Sequence, residues 1–342
     1  MRALGIVTAI LCLAAVSAQA AKLTPEAIND AQWRGSARDE ALLVKTQILL
    51  DRARFSPGEI DGRAGENYQK ALAAFAEQQG GGTASKGELT EAVWQALSAS
   101  SDAPVVGKYT LTDKDVAGPF LEKVPTRLEN MRGLRALSYT SPRERIAERF
   151  HMSEALLSKL NPGQRFDRSG DEIFVAQLAD QAKGPKAASL EVDKTAQTLK
   201  VFDKDQKLAA FFPVTAGSTE KPAPSGELKV ASVSRNPTYR YNPKYGFKGV
   251  RTKQPFKVAP GPNNPVGLVW IGLRPGEGYG IHGTPEPSKI GKTDSHGCIR
   301  LTNWDALQVA EMVSKGTPVT FVGDEAGKRK KQKGASRHRR RR

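Results

Sequence analysis

Two cysteines in 342 residues leave this chain without a covalent staple. Cys12 lies in an N-terminal segment that reads as a leader. Arg2 is followed by an apolar run over 4–16 and by Ala18-Gln19-Ala20, a small-x-small pattern that predicts cleavage after Ala20. The run is short for a bilayer span, and no later stretch approaches its length, so no transmembrane span is expected; an uncleaved anchor is the alternative. One thiol, Cys298, then remains in an exported, oxidising setting, where a second would invite a quenching disulfide. The mature chain of about 320 residues must be held by apolar cores alone, and two or three are expected at that length. The formal charge of +16 is uneven: residues 328–342 hold ten Lys or Arg and no acid, leaving +6 for the rest. The segment 324–342 is therefore read as a disordered basic tail. Behind a leader its partner is an anionic envelope surface rather than nucleic acid, or it is a solvated tail with no specific partner.

Hydrophobic periodicity divides the chain. Thr24-Pro25-Glu26 is a helix start, and Leu42, Leu43, Gln47, Leu49 and Leu50 keep a helical rhythm. Helices return over 68–79 and 88–97, after the turn Gly58-Glu59-Ile60-Asp61-Gly62. With Ala71, Phe75 and Trp94, that turn makes residues 21–100 resemble the small helical peptidoglycan-binding domain. Residues 101–138 read as a connector with some strand. In 139–178, Ser141-Pro142-Arg143-Glu144 is a capping box with proline at the first helical position. Ala147, Phe150 and Leu160-Asn161-Pro162-Gly163 resemble a LysM-type strand-helix-helix-strand module. The Gly-Asp-Thr usual after its first strand is replaced by Ser141-Pro142-Arg143, so glycan binding and a purely structural role both stay open. A polar linker spans 179–188. Beyond it the period becomes two, with strands near 199–203, 209–214, 228–233, 268–273 and 319–322, and one helix over 304–315. The fold class is multidomain α+β: a helical domain, a LysM-like α/β module and a mostly β domain over 189–323 with one packed helix.

The chemistry concentrates in Ser295-His296-Gly297-Cys298-Ile299-Arg300 and, upstream, Tyr279-Gly280-Ile281-His282-Gly283-Thr284. A free thiol is only a few per cent thiolate at neutral pH, so a nucleophilic Cys298 needs a base. His296, two residues away, is poorly placed for in-line transfer. His282 can meet Cys298 across paired strands and is assigned as base, with His296 as a wall or transition-state donor. Gly297 lets backbone approach a carbonyl, so the amides of Gly297 and Cys298 can form an oxyanion hole. No carboxylate lies beside His282, which leaves a backbone carbonyl such as that of Gly283 to orient its other nitrogen. A zinc site fits poorly: His296 and Cys298 at i and i+2 are awkward ligands, and no acidic fourth group is near.

Residues 189–323 resemble the L,D-transpeptidase (YkuD) catalytic domain through His282, Gly283, Ser295, His296, Gly297, Cys298 and Arg300, with Pro222-Ala223-Pro224-Ser225-Gly226 and Asn264-Pro265-Val266-Gly267 in agreement. The resemblance implies a periplasmic enzyme that uses no metal or organic cofactor and acts on peptidoglycan stem peptides and glycan. Cys298 attacks the third residue of a stem tetrapeptide, D-alanine leaves, and a neighbouring amine resolves the thioester to a 3→3 cross-link. Arg300 either serves a substrate carboxylate or braces the loop; Ser295 hydrogen-bonds within the motif loop, and it, Thr284 and Tyr279 are expected at the substrate side. Resolution by water or by a protein amine stays open within the same chemistry. A wall-binding scaffold with an inert β domain is the non-enzymatic alternative.

Overall fold

The change of period near residue 189 marks a change of layer in the computed structural model, which describes residues 23–36, 39–80, 87–100, 103–179, 184–218, 221–245, 250–293, 295 and 297–323. The expected leader, His296 and the basic tail lie outside the described residues. Helix α1 (Pro25–Asp30) begins where the Thr24 hydroxyl accepts the Ala27 N–H. Helices α2 (Glu40–Arg52), α3 (Glu66–Gln78) and α4 (Glu91–Ser98) complete the first unit. The turn between α2 and α3 needs its glycines: Gly58 and Gly62 have φ of 77° and 72°. Gln47 fixes it from α2, accepting the N–H groups of Asp61 and Gly62 and donating to the Asp61 carboxylate.

The second unit starts earlier than its local pattern suggests. Strand β1 (Val106–Thr110) and the short helix α5 (Asp113–Val116) precede α6 (Pro142–Arg149), α7 (Glu154–Leu160) and β2 (Glu172–Ala176). β1 pairs antiparallel with β2, from Val106 opposite Ala176 to Thr110 opposite Glu172. Residues 106–110, within the stretch read as a connector with some strand, thus form the partner strand of the 139–178 unit. Pairing over some sixty residues of sequence leaves no local mark. Nor are the first two units separate beads: Ile28, Leu72 and Leu97 share one core with Ile146, Leu157 and Val175, and with Leu208 and Phe211 of the β domain.

The β domain contains β3 (Ser189–Asp193), β4 (Thr198–Phe202), β5 (Leu208–Pro213), β6 (Thr215–Ala216), β7 (Gly226–Arg235), β8 (Tyr239–Tyr241), β9 (Phe256–Val258), β10 (Val269–Arg274), β11 (Gly280–His282), β12 (Ile299–Arg300), helix α8 (Asn303–Met312) and β13 (Pro318–Val322). Among the described residues one sheet runs β5-β4-β3-β13-β7-β10-β11-β12-β6. Its outermost strands are consecutive in sequence: β5 ends at Pro213 and β6 begins at Thr215. Two residues span at most about 7 Å, so the sheet curls until its ends nearly meet. α8 packs on β10 and β11, burying Ala306, Val309 and Met312 in the core of this domain.

β8 and β9 form a separate antiparallel pair that sequence periodicity did not reveal. Residues 119–138 pad it: Met131 and Leu137 share a small core with Tyr241, Phe256 and Val258. The Leu137 N–H donates to the Pro260 carbonyl and the Leu137 carbonyl accepts from Asn263. Among the described residues no helix is long and apolar enough to cross a membrane.

Candidate active site

β11 and β12 are parallel neighbours, with Ile281 opposite Ile299 and His282 opposite Arg300. Cross-strand partners share a face, and residues two apart on a strand share it too. This register puts His282 and Arg300 on the same side of the sheet, and Cys298, just before β12, opens onto the same cavity. On the other flank of β11, Trp270 of β10 is opposite His282. The two rings stack with centroids 5.5 Å apart and planes at 19°.

His282 is 3 % exposed, and its Nδ1 lies 2.6 Å from the Gly283 carbonyl oxygen. A carbonyl only accepts, so Nδ1 carries the proton and Nε2 keeps its lone pair. Burial, then the Arg300 guanidinium, push this imidazole down to about 3. Burial pushes the Cys298 thiol up to about 11, against the Gly280 amide and Arg300, which favour the thiolate. The thiol is half-buried and donates to the Gly278 carbonyl at 3.4 Å. Thiol and imidazole are therefore both neutral at rest.

The motif loop is built around these groups. Gly297 has φ of 97°, a conformation that favours glycine. Ser295 is 1 % exposed; its hydroxyl donates to the Cys298 carbonyl at 2.6 Å and its N–H to the Gly217 carbonyl at 2.9 Å. Ser295 thus braces the loop. Thr284, also buried, accepts from the Glu286 N–H. Neither is among the residues that line the cavity described next; their hydrogen bonds run into the loops. Gly283 likewise lies behind the wall, where its carbonyl holds His282.

A cavity of about 780 Å³ opens over Cys298, His282, Gly297, Tyr279 and Arg300. Pro222, Pro265 and Val266 line it as well, from loops quoted for the family resemblance. Tyr239 and Arg240 of β8, Trp270, Lys221 and Glu277 complete its chemistry. Lys221, Arg240 and Arg300 outnumber Glu277, which suits an anionic ligand. Trp270, Tyr239 and Arg240 escaped sequence reasoning; only the alternation of β10 could have placed Trp270 beside His282. Burial lowers the Arg300 pKa, with Cys298 and Glu286 as opposing influences. Among the described residues no cluster of three His, Cys, Asp or Glu suits a metal.

The L,D-transpeptidase catalytic domain family (YkuD) matches residues 187–321. The chain is 30% identical over 177 residues to the putative L,D-transpeptidase YkuD of Bacillus subtilis (strain 168), covering 52% of this chain and 90% of that protein. It is 29% identical over 181 residues to the putative L,D-transpeptidase YkuD of Bacillus licheniformis, covering 52% and 92%. Among solved structures, L,D-transpeptidase 3 from Mycobacterium tuberculosis in complex with a faropenem-derived adduct is 18% identical, covers 45% of this chain and 75% of that one, and has a TM-score of 0.33. The extent of the match to the Bacillus subtilis relative, over a domain whose strands bring a thiol and an oriented imidazole to one cavity, places this chain in the L,D-transpeptidase family, enzymes that cross-link or otherwise modify peptidoglycan.

Proposed function

We propose that the chain forms 3→3 peptidoglycan cross-links through a Cys298 thioester. The observation that carries this is His282: Nδ1 is tied to the Gly283 carbonyl, and Nε2 is left to take a proton within the cavity that holds Cys298. A stem tetrapeptide enters with its carboxylate drawn to Arg300, Arg240 and Lys221. That carboxylate offsets the Arg300 charge, which is one cause of the weak basicity of His282. The Cys298 proton passes to Nε2 as sulfur bonds the carbonyl carbon of the third residue. The amides of Gly297 and Cys298 hold the oxyanion; the part of His296 rests on the family resemblance. The carbon–nitrogen bond to D-alanine breaks, and the imidazolium returns its proton to the leaving amine. An amine of a second stem then attacks the thioester, its proton moving by way of His282 to the departing thiolate.

The setting in this reading is the periplasm, after removal of residues 1–20. The units over 21–100 and 139–178 serve as peptidoglycan-binding-like and LysM-like modules beside the catalytic domain. The basic tail meets an anionic envelope surface.

Intact-protein mass spectrometry of residues 21–342 with a tetrapeptide muropeptide tests the chemistry. An adduct equal to the muropeptide minus D-alanine, absent in Cys298→Ala and discharged to a dimer by an acceptor stem, is expected. Discharge by water alone would make the chain a hydrolase. Absence of any adduct, with sacculus binding intact, would favour a scaffold.

A further inference from the structure

The catalytic domain is gripped from outside at two asparagines. Helix α6 carries Glu144 and Glu148, one turn apart and so on one face. Glu144 accepts from Asn263 Nδ2 at 2.8 Å. Both carboxylate oxygens of Glu148 accept from Asn303 Nδ2, each at 3.1 Å, and the Tyr139 hydroxyl donates to the same carboxylate at 3.0 Å. Asn303 is the first residue of α8 and is 1 % exposed. Its Nδ2 also donates to the Pro262 carbonyl, and its Oδ1 accepts the Leu268 N–H at 3.1 Å. The carboxamide is therefore held at both ends.

What it presses on is the support of the base. A Cβ on Gly283 would come 2.2 Å from Asn303 Oδ1, and one on Gly267 would come 1.9 Å from it. Asn303 thus lies flat against the backbone of Gly283, whose carbonyl fixes His282 Nδ1 at 2.6 Å. We propose that Glu148, from outside the catalytic domain, is a positioning residue for the base: through Asn303 it sets the Gly283 carbonyl, and through that carbonyl the tautomer and direction of His282. The accessory helix α6 is then part of the catalytic centre's support as well as a neighbour of it. This rests on the reading of His282 as the base for Cys298. The alternative role for the Glu148–Asn303 contact is to hold the two units together without reaching the imidazole.

The test uses the full mature chain with ¹⁵N-labelled histidine. One readout is the tautomer of the His282 ring, assigned by loss of its signals in His282→Ala. The other is the rate of Cys298 acylation by a tetrapeptide muropeptide, followed by intact mass. The wild type should show the single tautomer protonated at Nδ1. Glu148→Ala should show a mixture of tautomers and acylation slower by about tenfold or more, as expected for a misplaced base, with unchanged half-saturating peptide. Glu148→Gln keeps one accepting oxygen and should recover to within about threefold of wild type, with a minor second tautomer. A folded Glu148→Ala protein with the wild-type ring and rate would overturn the proposal. So would slower acylation with an unaltered ring, the mark of a contact that only joins units. Should Glu148→Ala not fold, Glu148→Gln decides: a second tautomer supports the proposal, a wild-type ring overturns it. If the wild type takes no acyl group, the proposed reaction fails while the ring readout still decides the role of Glu148.

Discussion

At Gly297, an added Cβ would come 3.3 Å from the Pro222 carbonyl oxygen, on a backbone already at φ of 97°. Gly297→Ala should therefore cost about 1–3 kcal/mol in local strain. Acylation should slow by about tenfold or more, because the amides of residues 297 and 298 are displaced; an unchanged rate in the intact-mass assay would remove them from the oxyanion site. Ser295→Ala leaves the Cys298 carbonyl without its hydroxyl donor. A loss of about 0.5–1.5 kcal/mol in urea unfolding is expected for the lost hydrogen bond to this half-buried carbonyl. The base makes a pH prediction. Burial holds His282 at about 3, below the ordinary histidine value, so it stays neutral, and competent as a base, well below pH 6.5. Acylation followed against pH should show no acid limb near 6.5, only one below about pH 5; a limb near 6.5 would mean that the imidazole is neither buried nor beside a cation during turnover. The motif singled out Cys298, His282 and Gly297 because thiol, imidazole and glycine have few other reasons to cluster, and the fold brings all three to one cavity. Ser295 braces the loop as expected, its hydroxyl donating to the Cys298 carbonyl, and the Thr284 hydroxyl accepts from the Glu286 N–H, a partner set by the fold of its loop.

Among the secondary-structure elements, capping and period served well. Thr24 and Ser141, the expected caps, each cap a helix through a side-chain oxygen, as Asp39, Thr90 and Thr302 also do in the structure. The alternating runs beyond residue 189 became β4, β5, β7, β10 and β13. What local pattern could not supply is how the edge of the sheet is finished. Strand β5 presents one side to the helical unit, where the Phe211 N–H donates to the Arg54 carbonyl and the Phe211 carbonyl accepts from Ser56, each at 2.9 Å. This covers an otherwise open edge. Phe55, between those two residues, is 2 % exposed and meets Phe75 edge-on at 5.4 Å. Phe55→Ala should destabilise the chain by about 3–5 kcal/mol in denaturant. It should also increase proteolysis around β5; stability within 1 kcal/mol of wild type, roughly the effect of an ordinary substitution, would show that the two units hold together without this anchor.

Across the whole molecule, the three units meet at a buried polar junction. His151 Nδ1 lies 2.9 Å from Asp51 Oδ2, its ring stacks on Trp304 at 5.2 Å, and the Ser56 hydroxyl donates to Asp305 at 3.0 Å. Burial raises Asp305 and Glu148 to about 7. His151 is also raised: burial pushes it down, but the Asp51 carboxylate, by charge and hydrogen bond, together with Asp305 and Glu148 outweighs that. Raised carboxyls and a raised histidine act in one direction here. From about pH 4, where unfolded carboxyls titrate, to about pH 7 the folded state binds more protons than the unfolded chain, so this contribution to stability is full at the acid end and is lost as pH rises through about 7. The depressed His282 acts oppositely: its contribution is present above about pH 6.5 and is lost progressively as pH falls from there toward about 3. The melting temperature should therefore fall between pH 6 and 8, and Asp305→Asn should flatten that fall; a melting temperature constant over this range would contradict it. By itself the sequence determined helix caps such as Thr24 and Ser141, the turns, the switch from helical to strand period and the candidate thiol and imidazole. These are set by neighbours a few residues apart, and so are written into short stretches of chain. Only the tertiary structure decided that β1 pairs with β2, that residues 119–138 pad the β8–β9 pair over the cavity, and that Glu148 reaches Asn303 across 155 residues. Partner choice at that range depends on how folded surfaces fit, and nothing in the local sequence pattern encodes it.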